Sequence, residues 1–343
     1  MLVSMPMKIL AIETSCDETA MAVVEASEQL ANPQFTILSN IVSSQIEVHR
    51  PFGGVVPSLA KREHLKNLPI VLDQIKEILN LKSLILNPDC IAVTVGPGLE
   101  PALWTGINFA KELSKKLQKP LMGINHLEGH IYSNWLMGQK IEFPAIVLIV
   151  SGGHTILLRM DDMKKWEKLG ETQDDAVGEA FDKVAKMLGL PYPGGPEVEK
   201  AARGGNSNAV AFPRPMLHSG DYNFSFSGLK TAVLYYLKEL KTKNYKLKTN
   251  DICASFQRAA IDVLATKTMR AVEECGARSV MLCGGVAANK ALQDDLRFKI
   301  QDLGVEFFVP ELQYNTDNAV MIATAAYLGN HYPTESALPN LNL

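Results

Sequence analysis

The feature that most constrains the fold is a strand–turn–strand pattern that occurs twice. Lys8 to Glu13 (KILAIE) is an apolar run of the kind buried on both faces of a sheet. Thr14 to Thr19 (TSCDET) is a polar turn, and Ala20 to Glu25 reads as a second strand. Ala145 to Val150 (AIVLIV), Ser151 to Thr155 (SGGHT) and Ile156 to Met160 repeat that order, so each half of the chain opens on the same unit. This predicts an internal duplication. The segments after each unit also correspond. In the first half, Ser58 to Leu79 has helical spacing interrupted by Pro69. Asp89 to Val95 is a strand ending in the turn Gly96 to Gly98, Thr105 to Leu117 is a helix, and Pro120 to Ile124 is a strand. In the second half, Asp251 to Glu274 is helical, Ser279 to Cys283 is a strand and Gly284-Gly285 a turn. Asn289 to Gln301 is a helix, Val305 to Val309 a strand, and Asp317 to Leu328 a last helix. Alternating strands and helices define an α/β class. The Gly/Pro-rich stretch Pro191 to Gly205 and the Lys-rich stretch Lys238 to Lys248 are expected to be loops.

With 343 residues, nearly half of them apolar, the chain can build two packed domains. Its formal net charge of −3 supplies no global positive field for nucleic acid, so RNA contacts would need a local patch or another subunit. The Lys238 to Lys248 run, with Tyr245, is either such a patch or a solvated loop. Five scattered cysteines without a CxxC pair argue against a disulfide framework and a Cys-rich zinc site, and fit a reducing cytoplasm. Met1 to Leu10 lacks the pattern of a signal peptide, and Met5 or Met7 is an alternative start. The apolar stretch Phe143 to Val150 is too short to span a bilayer, so no membrane association is expected.

Several residues can carry chemistry. His126 and His130, in HLEGH, lie one helical turn apart on one face, where two imidazoles can share a metal ion; otherwise they are surface or capping histidines. Glu128 falls midway between them and points to the opposite side of the helix, which counts against a zinc peptidase of the HExxH kind. Asp317 is either a third ligand or the N-cap of the last helix. Ser151-Gly152-Gly153 and Gly284-Gly285 follow apolar strands, where successive N–H groups can cradle a phosphate, and Gly194-Gly195 lies in a Pro-flanked turn. Asp17 and Glu18 could handle a proton or a metal, or be ordinary turn residues. Asp174, Asp175, Glu179 and Asp182 crowd a helix start as dipole partners, with Asp182 placed to reach a ribose. Asn289 either caps its helix or reads an adenine edge.

These segments resemble those of one family. IETSCDETA from Ile12, GGVVPSLAKREH from Gly53, GPGL from Gly96 and NHLEGHIYS from Asn125 are followed by VSGGHT from Val150 and GEAFDKVAKMLGLPYPGGP from Gly178. FPRPM from Phe212, FSFSGLKTAV from Phe224, CGGVAANKAL from Cys283 and TDNAVMIA from Thr316 complete the set. In this order they are similar to the bacterial TsaD family, the tRNA N6-adenosine threonylcarbamoyltransferases. The resemblance implies two ribonuclease H-like domains of the actin, sugar-kinase and Hsp70 superfamily around a nucleotide cleft. The domains are expected at 1–125, completed by a C-terminal helix at 317–335, and at 126–316, with the metal and nucleotide site at their interface. It implies one metal ion, iron or zinc, on His126, His130 and Asp317. Substrate contacts carry over to Ile149, Val150, Ser151, Gly152, Gly153, Asp182, Gly195 and Asn289. Many relatives have an aspartate in the turn after PGGP, where this chain has the longer Glu199.

The activity implied is transfer of a threonylcarbamoyl group from threonylcarbamoyl-AMP to the exocyclic amine of the adenosine 3′-adjacent to the anticodon of tRNAs reading codons that begin with adenine. The implied partners are a TsaB-like paralogue and a TsaE-like ATPase, in the cytoplasm. On this reading Asp17 or Glu18 accepts the amine proton. The alternatives are a small-molecule phosphotransferase of the same superfamily, which would not need the histidine pair, and a non-catalytic scaffold, which would not need the three ligand positions.

Overall fold

The computed structural model describes residues 6–27, 33–82, 84–243 and 248–343. The described residues form two compact units, one within 6–141 with 310–343, and one within 142–309. The divisions fall later than the 125/126 expected from sequence and earlier than 316/317. The HLEGH helix belongs with the first unit because it packs against the last helix of the chain.

The first unit is built on a five-stranded sheet of β1 (Met7–Glu13), β2 (Glu18–Ala26), β3 (Phe35–Ser44), β4 (Cys90–Gly96) and β5 (Leu121–Asn125), in the order β3-β2-β1-β4-β5. β1 runs antiparallel to β2 and parallel to β4, and β4 runs parallel to β5. The central strands are mostly apolar because both faces are covered, with polar residues mainly near their ends. After the short α1 (Ile46–His49), α2 (Pro57–Leu81) and α3 (Glu100–Leu117) cover one face. Leu68, Val71, Leu72, Ile75 and Leu79 form a helical stripe on α2 that packs on Leu10, Ile12, Ile91 and Val93. The expected interruption at Pro69 does not occur, since Pro69 lies inside a continuous α2. Its ring faces solvent, where the carbonyl it leaves unpaired can be hydrated, and the buried stripe continues past it. After α4 (His126–Tyr132), the chain returns at α10 (Leu312–Asn315) and α11 (Ala319–Leu328). α11 is apolar on almost every side because it packs on β1, β2 and α4.

The second unit has β6 (Ala145–Val150), β7 (Thr155–Asp162), β8 (Lys165–Glu171), β9 (Ser279–Cys283) and β10 (Glu306–Phe308), in the order β10-β9-β6-β7-β8. Read from its antiparallel edge this is the order of the first sheet. The expected duplication and the ribonuclease H-like topology are therefore present in both units. Its helices are α5 (Val177–Met187), α6 (Gly194–Ala202), α7 (Ser227–Thr242), α8 (Thr249–Cys275) and α9 (Lys290–Ile300). Two expected loops are corrected. The Gly/Pro-rich stretch contains α6, because Pro193 and Pro196 sit at its start, where a missing N–H is harmless. The Lys-rich stretch is helical as far as Thr242, while 244–247, with Tyr245, lie outside the described residues, as do Met1 to Met5. No helix among the described residues is long and apolar enough to cross a membrane.

Candidate metal centre and glycine-rich site

Parallel strands of an open α/β sheet present their carboxyl ends together, and ligands bind there. In the first unit three adjacent strands end in polar residues. β1 ends at Glu13, β4 carries Thr94 near its end, and β5 leads through Asn125 directly into His126. Asn125 caps α4, its side-chain oxygen accepting from Leu127 N–H at 2.8 Å. The histidines are thus not the caps of their own helix.

His126 and His130 are buried, with ring centroids 4.7 Å apart. Their Nε2 atoms lie 3.5 and 3.3 Å from the same oxygen of Asp317. Asp317 does not cap α11, because Asn318 fills that position, its side chain accepting from Met321 N–H. The helix starts two residues later than the sequence suggests, and Asp317 is left to face the histidines. One ligand atom from each of the three residues fits within 4.8 Å of the others, and His130 Nδ1 is buried without a hydrogen-bond partner while Nε2 faces only the Asp317 carboxylate. A buried ring nitrogen left unsatisfied is costly unless something else binds the imidazole. The residues therefore fit a metal. Two imidazoles and one carboxylate that leave further positions open suit zinc or iron, so the donor set does not choose between them.

The electrostatics differ across the pair. Burial drives the His126 imidazole down, but the carboxylates of Asp317 and Glu13 overcome it and hold it at about 9. Burial lowers His130, and Asp317 offsets this only in part. Asp17 and Glu18 lie at the end of the β1–β2 turn, with Glu18 already in β2 rather than in the turn. Glu18 is pushed well above the usual carboxylate range by burial, then by the charges of Asp17 and Asp317. The acidic turn and the histidine site are therefore electrically connected. Glu128 is fully buried, and its carboxylate accepts from Asn330 N–H at 2.9 Å and from the Tyr332 hydroxyl. It holds the chain's end in place, and this leaves it unsuited to activate water between the histidines.

Sequence reasoning passes over a buried network behind the acidic turn. His64, on α2 at the end of the GGVVPSLAKREH segment, donates from Nε2 to the Cys16 carbonyl at 3.0 Å. Its Nδ1 lies 2.8 Å from Thr19 Oγ1 and 3.2 Å from Gln45 Nε2, whose own Oε1 is 3.1 Å from His49 Nε2. The side-chain NH2 of Gln45 can only donate, so His64 Nδ1 must accept, and the ring is neutral. Burial lowers the His64 pKa below its ordinary value of 6.5. The unfolded chain then binds a proton that the folded chain refuses, so stability should fall as pH drops below about 6.5, until the depressed folded value is reached. Urea unfolding at stepped pH, with NMR of the His64 ring, checks this. A ring that titrates at its ordinary value would contradict it.

In the second unit β6 and β9 end side by side, with Ile149 opposite Cys283. Ile149 and Val150 are fully buried, so they can offer a ligand only their backbone. Ser151 to His154 form a tight turn, closed by Ser151 N–H to His154 O at 2.8 Å and His154 N–H to Ser151 Oγ at 3.0 Å. The start of α5 packs against it, the start of α6 is tied to α5, and the start of α9 is tied to α6. Gly178 in α5 lies so close that an added Cβ would sit 2.5 Å from the Ser151 carbonyl oxygen. Asp182 reaches from α5 to Gly194 N–H at 2.6 Å, tying down the start of α6 and placing Gly195 beside it. Asn289 caps α9 through Leu292 N–H at 3.0 Å, and its amide donates to Gln257 at 2.9 Å. Of its two sequence readings, capping is the one visible here. Glu199 accepts from Lys290 N–H at 3.0 Å at the same helix start. Asp174 and Asp175 serve structure, Asp174 accepting from Phe226 N–H at 2.8 Å and Asp175 pairing with Lys183 and Lys230 at 2.8 and 2.7 Å. A glycine-rich turn after an apolar strand, as at Ser151 to Gly153, is the kind of backbone that an anion can approach.

A sequence model of the family described as "TsaD: tRNA N6-adenosine threonylcarbamoyltransferase" matches residues 36–324. The chain belongs to the TsaD family. Relatives bearing the same name include a protein of Thermosipho melanesiensis, 52% identical over 341 residues that cover 98% of this chain and 100% of the relative. Another, from Geobacter metallireducens, is 46% identical and covers 98% of this chain and 95% of the relative. Among solved structures, HypF of T. kodakarensis superposes with a TM-score of 0.59 at 17% identity, covering 95% of this chain and 49% of HypF. The chain thus spans about half the length of that structure. A full-length HypF in a phosphate- and nucleotide-bound form gives 0.59 at 14% identity, covering 96% of this chain and 57% of that one. At such identities the likeness shows the fold alone.

Proposed function

We infer that this chain transfers the threonylcarbamoyl group of threonylcarbamoyl-AMP to the N6 amine of an adenosine in tRNA. The observation that carries the reading is kinship over nearly the whole chain with proteins named for that transfer. The convergence of His126, His130 and Asp317 supports it, and a small-molecule kinase would have no need of that cluster.

The chemistry is an acyl transfer. The amine attacks the carbonyl carbon of the mixed anhydride, a C–N bond forms, the C–O bond to phosphate breaks, and AMP departs. The Ser151–Gly153 turn would hold the phosphate through the backbone N–H groups of Gly152 and Gly153, since the Ser151 N–H is given to the His154 carbonyl, and would stabilise AMP as leaving group. Asp182, Gly195, Glu199 and Asn289 border the same region and would seat the nucleoside. Glu18 or Asp17 of the acidic turn would accept the amine proton. An iron or zinc ion held by His126, His130 and Asp317 would supply Lewis acidity toward an oxygen of the donor. With a net charge of −3 the chain recruits tRNA poorly by itself, which gives a TsaB-like paralogue and a TsaE-like ATPase a role in the cytoplasmic assembly.

The test is label transfer from purified threonylcarbamoyl-adenylate to tRNA, with partner proteins present and ATP omitted. The anhydride already carries the activation, so modified tRNA should form without ATP. Phosphorylation of a small substrate that depends on ATP, with no label on tRNA, would assign the chain to the kinase alternative instead.

A further inference from the structure

We propose that Glu13 is the positioning residue of the metal centre, holding the His126 ring so that its Nε2 faces the ion. This rests on the reading of His126, His130 and Asp317 as metal ligands. Glu13 ends β1, is fully buried, and is absent from the three-residue cluster itself. One of its oxygens accepts from Ser15 N–H. The other accepts from the Thr94 hydroxyl and lies 3.1 Å from His126 Nδ1. A carboxylate in this setting only accepts, so the Nδ1 atom of His126 carries the hydrogen and donates. Nε2 is then left as the outward nitrogen, the one that lies 3.5 Å from Asp317. Ser15 Oγ, also 3.1 Å from Nδ1, flanks the ring on the same side.

Three features set Glu13 apart from a chance neighbour. Its two oxygens are held from β1's own turn and from β4, so the carboxylate cannot rotate toward the ion and become a ligand. It contacts His126 from behind, the place where a metal-bound histidine most often meets a carboxylate. Its charge also completes the site: with Asp317 it brings two negative charges to match a divalent cation, whereas Glu128 is turned away to Asn330 and Tyr332.

The experiment uses the full chain and Co2+ as probe. Co2+ affinity is measured by chelator competition for wild type, Glu13→Gln and Glu13→Ala, together with the d–d absorption of the bound ion and 15N shifts of the His126 ring. Glutamine is a demanding variant because it sets an NH2 group against Ser15 N–H or against His126 N–H. Both variants should bind Co2+ about 10- to 100-fold more weakly, with altered d–d bands and a His126 ring no longer confined to the Nδ1–H tautomer. A residue that merely supported the fold would lower the melting temperature of the metal-free protein yet leave the affinity, spectrum and tautomer of the folded fraction unchanged. That result would overturn the proposal and leave the metal centre standing. Failure of the wild type to bind Co2+ at all would overturn the metal reading, and this proposal with it.

Discussion

Asp317→Ala is expected to abolish threonylcarbamoyl transfer while leaving the protein folded. Asp317 is partly exposed, caps no helix, and fills no core position, so its removal takes away a proposed metal ligand rather than packing. Outer partners of metal ligands already cost about 10- to 100-fold when lost, so deletion of a ligand should cost at least about 100-fold in both metal retention and transfer rate. Circular dichroism serves as the folding control, elemental analysis reads the metal, and label on tRNA reads the activity. A folded variant that transfers label at the wild-type rate would remove the metal from the proposed chemistry. A variant that keeps its ion but loses transfer would move Asp317 from ligand to direct contact with substrate.

The second large effect separates two kinds of glycine in the second unit. Gly284 has φ +93, and an added Cβ would sit 2.4 Å from the Val150 carbonyl oxygen. Gly284→Ala should therefore destabilise the protein by roughly 2–4 kcal/mol, from backbone strain and overpacking together. Gly152 and Gly153 are different: an added Cβ meets nothing within 4 Å at either, and neither has a left-handed φ. Nothing within the fold requires glycine there. Gly152→Ala should leave the urea midpoint within experimental error of wild type, yet weaken binding of an adenylate analogue by at least about tenfold, because the methyl occupies the space the phosphate needs. Equal binding by folded wild type and Gly152→Ala would remove the turn from the proposed phosphate site. A large stability loss on Gly152→Ala would show that the turn is strained for its own sake.

Both effects bear on how much of the molecule is legible without its fold. The paired strand–turn–strand units are plain in the apolar runs inside Lys8 to Glu13 and Ala145 to Val150, since strands covered on both faces have few polar positions to blur them. The edge strands β3 and β8 escape notice because one side of each is wet and their residues are mixed. α6 is hidden by its own glycines and prolines, which read as a loop until they are seen to occupy a helix start. His126 and His130 pair from spacing alone, because four residues along a helix return to one face.

Other relations belong to the three-dimensional fold. Asp317 lies far along the chain from the histidines, and its reading as a helix cap can be dismissed only once Asn318 is seen to hold that place. Glu13, Thr94 and His126 lie at the ends of three different strands, and nothing local marks them as partners until parallel pairing brings those ends together. His64 gains its role in the same way, by reaching the Cys16 carbonyl from a distant helix. Most element types, the duplication and the histidine pair were written in the chain's local pattern, because each depends on periodicities within a few turns of backbone. The approach of Asp317 to the histidines, the residue behind His126 and the packing around each glycine came from strand order and close packing, which join residues that no local spacing relates.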